Sequence, residues 1–505
     1  MIKRVSRRDF IRNSGGTLLS LPLVNLLATG CTDGYQPTKN NLEAAPSLGD
    51  SSPSDLFKVE IPSPITYDFE GVSFSLLDPG SGRSTTQTSK TPEQIFGTYS
   101  TALSSPVSTY FVSLTGSDAN NGLTLATPFQ SPKKAVTAGN LTGAAYKVIV
   151  SGGDYSRSLI GMSPTQDSAW IANGVVTMGA FDPASSYAFT VDTTYTSTYK
   201  MARPSVNRVV DRKGVDSFGD PIELTYVPTA AICNVTPGTW SDDGGVVSLY
   251  VHRSDGQAPT FVNTRYFVKD VSIFSLNSAV NLYVGNDDGV SNFILEGGAS
   301  NFRALPQTTA KRIVVGKNIL SRFTGGKVNP TGNGMSSDSF WGSMWLFNCT
   351  SNHNMNDGFN LHNFSNVAEC YLVTVNCSGH NNGVGPSISQ VSCNGWTNHD
   401  VSFGADFSGY YIGNRGGTIR SVNACSAFFA GTLVKDDFGD LMNGGVMSPT
   451  AFRTDNTVIF WCYRTKVDMP SHTAGYLAAS GSKIFMRDIC PTAAAIGGNG
   501  TIERW

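Results

Sequence analysis

Charge is scarce in this chain. Asp, Glu, Lys and Arg make up 15% of its 505 residues, against about 25% in an average globular sequence. The 36 basic residues are cancelled by 38 acidic ones, for a formal net charge of -2. No Lys/Arg-rich block stands out, so the electrostatic footprint of a nucleic-acid binder is missing. The helix formers Glu and Lys are too few for a long helical bundle, whereas Gly, Ser, Thr and Asn recur throughout. No Cys-x-x-Cys pair suggests a zinc site. What is present is 40% hydrophobic residues with 53 Gly and 24 Pro. That is enough to build a core, and it excludes a disordered polyelectrolyte.

The N-terminus carries Lys3-Arg4 and Ser6-Arg7-Arg8-Asp9-Phe10-Ile11-Arg12, followed by a weakly apolar stretch from Leu18 to Ala28. That stretch falls short of the roughly 20 residues a membrane-spanning helix needs. Paired arginines before a short apolar core resemble a twin-arginine export signal, which implies delivery outside the cytoplasm. Leu27-Ala28-Thr29-Gly30-Cys31 is similar to a lipoprotein processing site with Cys31 as the lipidated residue, so the expected membrane attachment is through acyl chains alone. Residues 1–30 are then the signal. Residues 31–107 hold the lipid-attachment cysteine, a Pro/Asn/Ser/Gly-rich tether and short strands around Leu56–Ile61 and Val72–Leu76, and 108–505 form the main domain. Eight of the nine cysteines remain after Cys31. They could pair, but apolar settings such as Phe460-Trp461-Cys462 favour small buried core residues.

The main domain opens on Thr109-Tyr110-Phe111-Val112-Ser113-Leu114-Thr115-Gly116-Ser117-Asp118. A Thr127-Pro128-Phe129 elbow, a short helix from Ser131-Pro132, and a strand through Lys147–Val150 closing on Gly153-Asp154-Tyr155 come next. These residues resemble the first coil of right-handed parallel β-helix proteins of the pectate-lyase-like superfamily. The resemblance implies an all-β solenoid with a short N-terminal capping helix, and Gly238-Thr239-Trp240 with Ser248–His252 resembles a hairpin insertion seen in such proteins. Independently, short apolar strands separated by Asn/Gly turns recur from Val268–Leu276 through Asn292–Leu295, Arg312–Val315, Met344–Cys349 and Tyr371–Cys377 to Ile419–Asn423. Their spacing of roughly 20 to 30 residues is a solenoid period. A β-sandwich or propeller lacks its hairpin and blade signals here.

Stacked coils align equivalent side chains about 4.8 Å apart, so polar groups distant in sequence can line one groove suited to a linear polymer. Four of the six histidines fall between 353 and 399. The expected catalytic set is His399, Asp400, Arg415, Asp357 and His362. A His or Arg would move a proton beside a carboxyl-bearing sugar while an Asp orients the base. Asp357 in Asn-Asp-Gly equally suits turn chemistry, and Arg415 equally suits a solvated loop. Trp396 is expected as a sugar platform, with His380, Asn360 and Arg420 as substrate contacts. Asp436, Asp437 and Asp440 form either a calcium site or a polar loop. The complete signatures of polygalacturonases and of classical pectate lyases are absent. With only Glu296 and Glu369 in the main coils, the two carboxyls of a hydrolase, about 5 to 9.5 Å apart, would have to be aspartates. The expected partner is therefore a polysaccharide. Elimination on an acidic glycan is preferred, hydrolysis is next, and a non-catalytic carbohydrate-binding protein is the rival.

Overall fold

The computed structural model of the chain describes residues 56–505 apart from 80–81, 245–246, 269–271, 328–331, 384–392, 417, 436–449, 469–473 and 490–495. Cys31, Asp436, Asp437 and Asp440 lie outside the described residues. Each coil contributes one strand to each of three parallel sheets, and the result is a right-handed parallel β-helix. Sheet I contains Phe340–Phe347, Cys370–Val375 and Phe403–Phe407. Sheet II contains Ile319–Arg322, Thr350–Asn352 and Ser378–His380, and sheet III contains Met335–Asp338, Phe359–Asn363 and Trp396–Asp400.

The coils stack because one side of every strand is apolar. In sheet III the in-register column Phe302, Met335, Phe359, Trp396, Ile419 and Phe452 points inward with 0% exposure at each position. Corners between sheets I and II use left-handed backbone at Asn318, Asn348 and Asn376, where φ is 51–54°. Asn tolerates that conformation better than most residues. At the corner between sheets II and III, Asn354, Asn382 and Asn414 form a fully buried ladder: Nδ2 of Asn354 donates to Asn382 Oδ1 over 2.9 Å, and Nδ2 of Asn382 donates to Asn414 Oδ1 over 2.8 Å. These amides satisfy the corner backbone from within.

The opening motif has a physical basis in Asp118. Its Oδ1 accepts from the backbone N–H groups of Gln130 (3.0 Å) and Ser131 (2.9 Å), and its Oδ2 accepts from Ser131 Oγ (2.7 Å). Ser131 in turn caps the helix Pro132–Leu141. Ala135 and Val136 of that helix close the end of the core against Tyr110 and Tyr146.

Residues 56–106 do more than link. Strands Leu56–Lys58, Phe74–Leu77 and Thr85–Thr88 and the helix Pro92–Gly97 pack on the outer face of sheet I. Phe74 stacks on Phe407 at 3.7 Å and Tyr67 on Tyr371 at 4.0 Å. Sheet I is thus covered on both faces, which explains near-continuous apolar runs such as Met344–Phe347.

The segment Val268–Leu276, expected as one strand, is divided. Thr264–Val268 runs antiparallel to Val206–Val215 in an inserted β subdomain, and Phe274–Leu276 belongs to sheet III. The insertion has its own core around Met201, Leu224, Trp240 and Leu249. It includes the expected hairpin of Thr239–Ser241 with Ser248–His252. Seven cysteines lie among the described residues, all buried. Among those residues no helix is long and apolar enough to cross a membrane.

Candidate active site on sheet III

The outward side of sheet III carries two polar columns. One runs Arg303, Ser336, Asn360, Thr397, Arg420 and Arg453, and the other runs Asp338, His362, His399, Val422 and Asp455. They arise because each strand alternates apolar and polar residues, as in Phe359-Asn360-Leu361-His362 and Trp396-Thr397-Asn398-His399.

Charge pairs run between adjacent coils and, at Arg453 and Asp455, within one strand. Arg303 Nε lies 2.5 Å from Asp338 Oδ2, and Arg420 Nε and Arg453 Nε reach Asp455 at 2.7 and 3.2 Å. The His362 and His399 rings stack with centroids 4.1 Å apart and planes 12° apart. Asp400, held at a φ of 63°, places Oδ2 3.4 Å from His362 Nδ1. His399 Nε2 pairs with Thr397 Oγ1 at 3.0 Å. Burial, with His362 and Arg420 adding repulsion, pushes the His399 imidazole down to about 3.

Beside this stack lies a concavity of about 270 Å³, lined by Ser300, Arg303, Asn333, Ser336, Asp338, Asn356, His362 and Phe364. Phe364 is 59% exposed, an open aromatic face at the rim.

Of the sequence-predicted residues, His362, His399, Asp400 and Arg420 come together on this face. Asn360 shares it by register but is fully buried, and its Nδ2 donates to Asp357 Oδ2 (2.7 Å). Three expectations are corrected. Asp357 is 3% exposed, and its Oδ1 accepts from the Asn394 backbone N–H (2.8 Å) and Nδ2 (2.7 Å). Burial pushes this carboxyl up, and its hydrogen bonds give it the work of a corner brace. Trp396 cannot serve as a platform, because it occupies the inward column at 0% exposure and meets Phe429 edge-on at 5.2 Å. His380 stands on sheet II, stacked on Phe218 at 4.5 Å, where burial pushes its imidazole down to about 4. Arg415 is half-buried at the corner between sheets II and III, with its backbone N–H on Asn382 O (3.0 Å).

Sequence reasoning missed Arg303, Asp338 and Phe364. The alternating quartet ending in His362 recurs one coil earlier as Met335-Ser336-Ser337-Asp338, and aligning the two would have found Asp338. Among the described residues, Asp216, Asp220 and His353 form a cluster able to hold a metal. It lies away from this face, against sheet II.

No protein-family model matches the chain, and no curated protein matches it. Solved structures similar to it include a glycoside hydrolase (9% identity, 79% of this chain and 96% of that one, TM-score 0.41). Others are a XylC complex with xylose (11%, 77% and 71%, 0.46) and a pectate lyase (13%, 75% and 81%, 0.36). At these values they carry nothing on activity, and the β-helix is established by the strand registers given above.

Proposed function

We propose that the chain is an enzyme that cleaves an acidic, uronate-containing polysaccharide by β-elimination in the sheet III concavity. The observation that carries this reading is the setting of His362. It lines the concavity, Asp400 sits at its Nδ1, and its face rests on His399. In this reading Asp400 orients the ring, and the other nitrogen of His362 takes the proton from the carbon beside the uronate carboxyl. Arg303, on the same wall, offsets the charge that grows on that carboxyl. The electron pair forms the C4–C5 double bond, the C4–O bond breaks, and the departing oxygen takes a proton from water. Phe364 offers a face to a sugar ring. Elimination is favoured over hydrolysis because Asp338, Asp400 and Asp455 each already face an Arg or His.

The export and lipid attachment expected from Arg7-Arg8 and Cys31 belong to the same proposal and place the enzyme where extracellular glycans are met. Calcium at Asp436, Asp437 and Asp440 is its remaining element. The test is to incubate the protein with acidic and neutral polysaccharides, with and without calcium, while following unsaturated-uronide absorbance and reducing ends in parallel. Both signals rising supports elimination, reducing ends alone replaces it with hydrolysis, and binding without either signal replaces it with a carbohydrate-binding role.

A further inference from the structure

The insertion touches the solenoid through the turn between Val206–Val215 and Pro221–Glu223. Within it, Asp216 Oδ1 accepts from the backbone N–H groups of Phe218 (2.8 Å) and Asp220 (3.0 Å), which leaves Oδ2 facing His353 Nε2 at 2.8 Å. Asp220 directs Oδ1 to Arg322 Nη1 (2.8 Å), and its Oδ2 lies 3.9 Å from His353 Nε2. One oxygen or nitrogen from each of Asp216, Asp220 and His353 therefore falls within 4.8 Å of the others. The ring of His353 is backed by Phe323 at 5.3 Å.

An independent observation bears on the same spot. Asn352 is 3% exposed and donates Nδ2 to Asp220 Oδ2 at 2.7 Å, yet its buried Oδ1 has no hydrogen-bond partner. His380, its in-register neighbour on sheet II, stacks on Phe218 inside the 216–220 turn, is 8% exposed, and has a buried Nδ1 with no partner either. Buried polar atoms left unmatched in this way are costly. A cation at the cluster would match an unsatisfied oxygen beside Asp220.

We propose that Asp216, Asp220 and His353 bind a divalent transition metal of the zinc type, beside the incompletely satisfied amide of Asn352. Imidazole nitrogen with carboxylate oxygen suits zinc, whereas calcium takes oxygen ligands. Arg322, on the far oxygen of Asp220, orients that ligand from outside. Two ligands come from the insertion and one from sheet II, so the ion clips the inserted subdomain to the solenoid. None of the residues proposed for glycan cleavage takes part, so the metal and the cleavage reaction stand or fall separately.

The test is to strip the full chain with a chelator, then titrate zinc, manganese and calcium separately by calorimetry and record melting curves. Expected is one equivalent of zinc bound with a raised melting temperature, and binding at least about tenfold weaker in Asp216→Asn and His353→Ala. Asn352→Ala, which removes no charge, serves as the further variant should either of those fail to fold, and it too should bind more weakly. Uptake of no metal, uptake of calcium in place of zinc, or undiminished zinc binding in the folded variants would overturn the proposal.

Discussion

His362 and His399, from successive coils, lie face to face with their ring centroids 4.1 Å apart. Of the two, only His362 lines the concavity; burial, with repulsion from His362 and Arg420, pushes the His399 imidazole down and keeps it neutral. Two residues alike in sequence thus divide into a ring that lines the concavity and a ring stacked behind it.

From that division, His362→Ala should lose about 10²–10⁴-fold in turnover, the usual contribution of a positioned acid or base. Its melting temperature should stay near that of the parent chain. Initial rates of unsaturated-uronide formation check this, and retained turnover would remove His362 from the mechanism.

The neutral state of His399 makes stability depend on pH. Its folded value of about 3 lies below the ordinary value of about 6.5 for an unfolded histidine. The unfolded state therefore takes up a proton first as pH falls. The stabilising contribution is complete above about pH 6.5 and declines below it, by up to about 1.4 kcal/mol per pH unit. Urea unfolding at pH 6.5, 5.5 and 4.5 should show a smaller decline for His399→Asn than for the parent chain, and equal slopes would refute the assignment.

Asn382→Ala should destabilise the solenoid by at least about 2 kcal/mol. It strips partners from the buried amides of Asn354 and Asn414 and from the carbonyl of Ser351. Denaturant midpoints measure this, and an unchanged midpoint would mean that the ladder contributes nothing.

Trp396→Ala should cost about 3–5 kcal/mol, as expected for emptying a large core site. Trp396→Phe should keep glycan affinity at the parent level. Weakened glycan binding in a well-folded Trp396→Phe would restore the platform role that its burial denies.

Deleting residues 56–106 should cause association, since Trp345, Phe407 and Phe428 would lose their cover from Phe69, Phe74 and their neighbours. Light scattering distinguishes this from a stable monomer, which would show that sheet I needs no cover.

The sequence by itself determined the solenoid and its first coil. Alternating apolar strands between Asn and Gly corners can bury their inner faces only by stacking, and Asp118 with Ser131 specifies the capping helix locally. It also carried the polar quartets that bring His362, His399 and Asp400 to one sheet. Only the tertiary structure decided which side of each strand faces water. Trp396 and His399 are three residues apart, yet one points into the core and the other toward the outer face, because a single step along a strand reverses the side-chain direction. The same structure turned Asp357 into a corner brace, gave residues 56–106 the task of covering sheet I, and brought Asp216 against His353. These outcomes depend on register and on contacts between distant segments, which local patterning does not encode.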